Sequence, residues 1–175
     1  NYTDPGTAYE LSNEELALLT AGVLNIGDSS SGDIFIEGIS SEASNKISGM
    51  TNLYATQSGK QISFITEKSI FNQLNVLADD GISITSDLTT ATGDMLLEAN
   101  NNDMLGSVDA IQFADGVSIN SAGSLQLDAT NGEVVGDGAL SLVVTNELRI
   151  NDSITTDGVT YIDIQGADEL GDFTL

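Results

Sequence analysis

Gly22-Val23-Leu24-Asn25-Ile26 is the first copy of a short pattern, in which a glycine precedes two large apolar residues at alternate positions. Gly32-Asp33-Ile34-Phe35-Ile36 repeats it soon afterwards. In an extended chain, successive side chains point to opposite faces, so each apolar pair faces a core and the residue between them faces outward. The pattern therefore predicts short strands of about 3–5 residues.

The pattern returns along most of the chain. Its clear copies are Gly81-Ile82-Ser83-Ile84, Gly116-Val117-Ser118-Ile119, Gly123-Ser124-Leu125-Gln126-Leu127, Gly138-Ala139-Leu140-Ser141-Leu142 and Asn146-Glu147-Leu148-Arg149-Ile150, and looser copies are Gln61-Ile62-Ser63-Phe64 and Tyr161-Ile162-Asp163-Ile164. The predicted inward residues are Leu24, Ile26, Ile34, Ile36, Ile82, Ile84, Ile119, Leu125, Leu127, Leu140, Leu142 and Ile150. The predicted outward residues are Asn25, Ser83, Gln126 and Ser141.

Many short strands fit either an antiparallel sandwich or a solenoid. The similarity of the copies favours the solenoid, and Asn131-Gly132 is the one Asn-Gly hairpin signal, where a sandwich needs several. We therefore predict an all-β fold, a right-handed parallel β-helix with about six coils of about 20–30 residues. One short N-terminal helix is predicted over 13–20, because Ser12 and Glu15 have the spacing of a capping box and Gly22 favours a helix end.

Residues 1–10 are polar and are predicted to form an N-terminal segment, whereas 11–175 form a single β-solenoid domain or a segment of a longer one. No secretory signal stands at Asn1, and Asp172-Phe173-Thr174-Leu175 has the pattern of a beginning strand. Both features lead us to expect a mature product or a piece of a longer protein.

The charge balance restricts the partners. The 175 residues include 27 acidic and 4 basic side chains, for a net charge of −23, and neither histidine nor cysteine occurs. Nucleic-acid binding needs clusters of lysine and arginine, so we expect no nucleic-acid partner. No apolar run reaches the roughly 20 residues of a membrane span, so we expect no membrane insertion.

Residues 11–36 resemble a known class of repeat. Leu11-Ser12-Asn13-Glu14-Glu15-Leu16, then Leu19-Thr20-Ala21-Gly22-Val23-Leu24-Asn25-Ile26-Gly27, then Ser31-Gly32-Asp33-Ile34 are similar to repeats of large bacterial exoproteins, the filamentous-haemagglutinin-like and autotransporter-like adhesins. The resemblance implies a right-handed parallel β-helix, an extracellular or cell-surface location, and a stalk or filament with an adhesive role. Partners would be further copies or coils of the solenoid itself, and host-surface or matrix glycans. No catalytic residue carries over.

Acidic turns suggest calcium. Ca²⁺ prefers carboxylate and carbonyl oxygens, and equivalent turns of a solenoid stack about 4.8 Å apart. The candidate metal ligands are Asp79, Asp80, Asp103, Asp137, Asp152 and Asp157, with Asp28 and Asp33 in similar turns. Solvated acidic turns are the competing interpretation. No cofactor is required by the sequence, and Ca²⁺ is the one that these turns fit. An alternative function is therefore an acidic calcium-binding spacer of a giant surface-layer-like protein.

A second alternative is a β-helix polysaccharide lyase or hydrolase. Glycoside hydrolysis uses two carboxylates, and Asp79-Asp80 is an adjacent acidic pair outside the predicted helix. Asp-Asp-Gly is also good turn chemistry, and the chain has no histidine and few basic residues to complete such a site. We therefore predict that the chain is not an enzyme.

The run Asn100-Asn101-Asn102 fits either an asparagine ladder between stacked turns or a plain polar loop.

Overall fold

The computed structural model describes residues 8–101, 109–166 and 172–174. Its strands, numbered in chain order, form three sheets. Sheet 1 contains β1 (Ala8–Ser12), β3 (Asp33–Glu37), β5 (Ile62–Ile65), β8 (Ile82–Ile84), β11 (Ile111–Phe113), β14 (Val134–Gly136) and β17 (Ile154–Thr156). Sheet 2 contains β2 (Leu24–Asp28), β4 (Met50–Ala55), β7 (Gln73–Ala78), β10 (Met95–Glu98), β13 (Leu125–Asp128), β16 (Glu147–Ile150) and β19 (Asp172–Thr174). Sheet 3 contains β6 (Ser69–Phe71), β9 (Leu88–Thr90), β12 (Val117–Ser121), β15 (Leu140–Val144) and β18 (Thr160–Ile164).

Every pairing between these strands is parallel. From β5 onward the chain visits sheet 1, sheet 3 and sheet 2 in turn, and each strand pairs with the equivalent strand of the coil before it. This arrangement is a parallel β-solenoid of about six coils, and it confirms the predicted all-β fold class.

The coils are unequal in length because one corner varies. Equivalent residues on sheet 1 lie 20 to 29 residues apart, at Ile34, Ile62, Ile82, Ile111, Val134 and Ile154. Three residues join sheet 1 to sheet 3 after each of β5, β8, β11, β14 and β17. By contrast, three residues join sheet 2 to sheet 1 after β7, six after β4 and twelve after β10. Extra residues are therefore placed at the corner between sheets 2 and 1.

Two one-turn helices replace strands in the first two coils. The helix α1 (Asn13–Leu16) has the predicted Ser12–Glu15 capping box but is shorter than the predicted 13–20. The helix α2 (Ser41–Ser44) is capped by the Ser40 hydroxyl. The second helix was not predicted, because α2 has too few apolar residues to show a helical period. Both helices lie between a strand of sheet 1 and a strand of sheet 2, α1 contacts α2, and α2 contacts β6, so they continue sheet 3.

The core consists of aligned columns of apolar side chains. One column on sheet 3 joins Leu88, Ile119 and Leu142, all fully buried. The predicted inward residues are buried, except that Leu24 and Ile26 of the first coil are only partly buried against the core. Of the predicted outward residues, Asn25 is exposed, and Ser83, Gln126 and Ser141 are partly exposed. The predicted facing of the strands is thus confirmed.

The first sheet begins at Ala8, where β1 pairs with β3. The boundary predicted between 1–10 and 11–175 therefore falls inside a strand, and residues 8–10 belong to the solenoid. Residues 1–7 lie outside the described part of the chain. The predicted strand at the other terminus is present as β19, with Leu175 outside the described residues.

Candidate interaction surfaces

Asp79 and Asp80 form a buried corner between sheets 2 and 1. Their exposed fractions are 5% and 8%, so the interpretation as solvated turns does not apply to them. The backbone N–H of Gly59, in the preceding coil, donates a 2.7 Å hydrogen bond to Asp79 Oδ2. The backbone N–H groups of both aspartates donate to the carbonyl of Lys60, at 3.2 and 3.0 Å. The pair therefore serves to hold one corner against its neighbour.

The other predicted metal ligands that the structure describes lie at two different corners. Asp137 and Asp157 follow β14 and β17, which pair in register, so they occupy equivalent places in adjacent coils. Asp152 lies at the corner between sheets 2 and 1, where its Oδ2 accepts a 2.6 Å hydrogen bond from the backbone N–H of Ala129. Asp103 lies outside the described residues. Among the described residues, no three acidic side chains form a group suited to a metal ion.

Aspartates at the corners bind backbone N–H groups of a neighbouring coil. Such groups at a turn need a partner when the ladder cannot supply one. Besides Asp79 and Asp152, three aspartates that were not among the predicted ligands accept such bonds. Their donors are the N–H groups of Ser118 to Asp87 (2.9 Å), Ser124 to Asp94 (2.7 Å) and Ala139 to Asp115 (2.8 Å). Asp33 accepts in the same way from the N–H of Gln61 at 3.0 Å. Much of the acidity is therefore built into the contacts between coils.

An asparagine ladder runs along the outer face of sheet 2. Asn25, Asn52 and Asn75 are aligned by the strand register. Asn52 Nδ2 donates to Asn25 Oδ1 at 2.7 Å, and Asn75 Nδ2 donates to Asn52 Oδ1 at 3.0 Å. The next residue in the column is Leu96, and Asn75 Oδ1 is buried without a hydrogen-bond donor among the described residues.

The asparagine ladder considered for Asn100-Asn101-Asn102 is a separate case. Asn100 Nδ2 donates to the backbone carbonyl of Thr130 and not to another asparagine side chain. Asn102 lies outside the described residues.

A groove of about 350 Å³ crosses the outer face of sheet 2 where the ladder stops. Its polar wall includes Asn75, Asp94, Ser124 and Gln126, and its apolar wall includes Met50 and Leu96. These residues belong to, or directly precede, β4, β7, β10 and β13, so the groove runs across four neighbouring strands. It therefore combines hydrogen-bonding groups, one carboxylate and an apolar surface.

The two end coils carry the exposed large apolar side chains. Among the described residues these are Tyr9, Leu18, Leu19 and Val23 in the first coil and Val159, Tyr161 and Ile162 in the last. Ile162 belongs to an inward column, yet it is 37% exposed, whereas Leu142, its neighbour in that column, is fully buried. In the described part of the chain, five strands at the two ends of the solenoid have a strand on one side only: β1, β2, β17, β18 and β19. The same is true of β6, the first strand of sheet 3, which α2 contacts.

Comparison with known proteins found no matching family profile, curated protein or solved structure. No helix of the described residues is long and apolar enough to cross a membrane.

Proposed function

We propose that the chain is a non-enzymatic structural module of an extracellular surface protein, and that its end coils join further coils to build a stalk or filament. The observation that carries this proposal is the distribution of exposed apolar side chains. Among the described residues, the exposed large apolar side chains lie in the first and last coils, while the inner coils bury their apolar columns. Apolar exposure that is confined in this way is typical of interaction sites.

The strand edges support the same proposal. An edge strand offers unpaired N–H and C=O groups, and another strand can add to it in parallel. The partly exposed inward residues of the end coils, such as Ile162 and Leu24, would be covered by one further coil. Contacts of this kind join the end of one module to the start of another, so they propagate into a rod instead of closing into a ring.

The proposal that the module belongs to an adhesin-like surface protein rests on the sequence. Residues 11–36 resemble repeats of filamentous-haemagglutinin-like and autotransporter-like adhesins, and α1 and β2 lie within that region. We propose an adhesive stalk at a bacterial cell surface, where an ion-rich medium would screen a net charge of −23. Host-surface or matrix glycans remain proposed partners of the complete protein.

Sedimentation velocity at increasing sodium chloride concentration tests the proposal. The isolated chain should self-associate more strongly as salt rises, because salt screens acidic repulsion while apolar burial persists. Val159→Asp in the last coil and Val23→Asp in the first should each weaken association. Val143→Asp is a matched control, because Val143 faces outward from β15 on the side of the solenoid. A chain that stays monomeric at every salt concentration, or an equal effect of all three substitutions, would contradict the proposal.

A further inference from the structure

We propose that the groove on sheet 2 binds a short extended peptide that carries lysine or arginine side chains. The groove lies on the side of the solenoid, so this second surface is separate from the end coils and does not depend on the proposed stacking. Four observations lead to it: the charge of the sheet, the unsatisfied acceptor, the apolar wall and the length of the groove.

The outer face of sheet 2 is acidic. Asp94 lines the groove, and Glu98, Asp128 and Glu147 stand on the same sheet. The one basic residue on the described strands of this sheet is Arg149, which is paired with Glu147 at 2.8 Å. A cationic ligand is therefore attracted to this face, and an anionic one is repelled.

One side-chain acceptor of a groove residue has no donor. Asn75 Oδ1 accepts no hydrogen bond among the described residues, and its amide is held by one described bond, from Nδ2 to Asn52. A buried acceptor without a donor costs free energy, so a ligand N–H that reaches it is favoured. Ammonium and guanidinium groups carry several donors and no acceptor, which suits such a site.

The apolar wall distinguishes a basic side chain from a bare cation. Lysine and arginine place their methylene stems on apolar surface while the charged group reaches a polar one. Met50 and Leu96 provide that surface, and Asp94 provides the charge. A bare divalent cation would need several oxygen ligands, and no three acidic side chains gather among the described residues.

The size of the groove sets the length of the ligand. Four neighbouring strands at about 4.8 Å spacing span roughly 14 Å. An extended peptide advances about 3.3 Å per residue, so about four or five residues cross the groove. With alternate side chains facing the sheet, two basic residues separated by one small residue fit this span.

Fluorescence anisotropy with a labelled Gly-Lys-Gly-Lys-Gly peptide tests the proposal, with Gly-Glu-Gly-Glu-Gly and unlabelled maltopentaose as comparison ligands. Asp94→Asn removes the charge but keeps an oxygen that can accept from Ser124 N–H. Asp115→Asn is the matched control, because Asp115 binds the N–H of Ala139 in the same way and does not line the groove. Both substitutions change the net charge equally, so general attraction to the acidic chain cannot separate them.

We expect saturable binding of the lysine peptide, weakened about tenfold by Asp94→Asn and unchanged by Asp115→Asn, as the loss of one charge-assisted contact predicts. Leu96→Ser should also weaken binding, and it tests the groove without altering any charge or the Ser124 contact. Equal weakening by the two aspartate variants would overturn the proposal. So would an absence of saturable binding, or displacement of the peptide by maltopentaose, which would assign the groove to a glycan.

Discussion

The side-chain amide of Asn52 donates a 2.7 Å hydrogen bond to Oδ1 of Asn25, one coil away on the outer face of sheet 2. Its own oxygen accepts a 3.0 Å bond from Asn75. The middle residue of the ladder thus satisfies two neighbours at once. Because the three residues are aligned by the strand register, their bonds add to the backbone ladder that joins the first coils.

Replacing Asn52 by alanine should therefore destabilise the fold more than removing an outward asparagine elsewhere. The substitution leaves Asn25 Oδ1 and Asn75 Nδ2 without partners, and we expect a cost of about 1–2 kcal/mol in the free energy of unfolding. Asn120→Ala is the control, since the one side-chain bond of Asn120 within the described part of the chain is local, from Nδ2 to the Ser118 hydroxyl. Urea denaturation measures both, and equal costs would show that the ladder adds nothing.

Extending the ladder to position 96 should couple the effects that substitutions at positions 75 and 96 have on the free energy of unfolding. Leu96→Asn places an amide donor in register with Asn75 Oδ1, for which no described residue supplies a donor. The gained bond offsets the lost apolar contact, so we expect a net change within about 1 kcal/mol of zero. In an Asn75→Ala background the same substitution should cost about 1 kcal/mol more. A double-mutant cycle by denaturation measures this coupling, and a coupling near zero would contradict the geometry.

Adjacent residues of β15 should respond in opposite ways. Leu142 is fully buried in its column, whereas Ser141 faces outward. We expect Leu142→Ala to cost about 2–5 kcal/mol in the free energy of unfolding, and Ser141→Ala to change it by no more than about 0.5 kcal/mol. Thermal and urea denaturation would check this pair. A large effect at Ser141 with a small one at Leu142 would mean that the register of the strand is shifted by one residue.

The corner at Asp28 should weaken in acid. The backbone N–H of Ser30 (2.7 Å) and then its hydroxyl (2.8 Å) donate to Asp28 Oδ1, and these bonds hold the pKa of that carboxyl below its ordinary value of 3.8. A carboxyl with a lowered pKa stabilises the folded chain above the unfolded-state value, and this contribution is lost as pH falls through the lowered folded-state value. Wild type should therefore be more stable than Asp28→Asn at pH 7, with the difference shrinking below about pH 4.

Urea denaturation between pH 7 and pH 2 would measure that difference. Glu37→Gln is a suitable control, because Glu37 is exposed at the end of β3. A difference between wild type and Asp28→Asn that grows as pH falls would contradict the assigned hydrogen bonds.

Ions should raise the melting temperature. A net charge of −23 on a small solenoid produces self-repulsion, which salt screens. We expect a steady increase in melting temperature with sodium chloride, and calorimetry would measure it. The calcium hypothesis predicts a further increase with CaCl₂ at equal ionic strength, reversed by a chelator. Identical curves in the two salts would leave screening as the explanation, and a melting temperature that does not change with either salt would contradict both.

The strand pattern was predictable because burial at alternate positions is a local property. Each apolar pair, such as Ile82 and Ile84, identifies its own inward face without reference to any other strand. The alignment between coils is not local, because the corner after β4 and the corner after β7 differ in length. Asn25, Asn52 and Asn75 each stand beside inward apolar residues, so the ladder becomes visible in the sequence once those strands are aligned.

The aspartate contacts were harder to foresee for a similar reason. Asp87 and Asp115 look like ordinary turn residues, and their acceptor role depends on a backbone N–H more than twenty residues later. The composition suggested that the acidic side chains are solvated and repel one another, or that they bind cations. The structure instead places several of these carboxylates at donors that the corner leaves unpaired. Similarly, the four residues of α2 show no apolar period. This short helix is held by the Ser40 hydroxyl, which accepts from the N–H of Ala43, and by contacts with α1 and β6.

The unequal corners have a consequence for how such a chain can change. The step from sheet 1 to sheet 3 is three residues long in each of five coils, whereas the step from sheet 2 to sheet 1 ranges from three residues to twelve. Insertions at the second corner leave the columns of the core in register, so new loops can be grafted there as they are in a display scaffold. A lineage of such proteins can therefore keep its architecture while its repeat length drifts, which erases the periodicity by which relatives are usually detected.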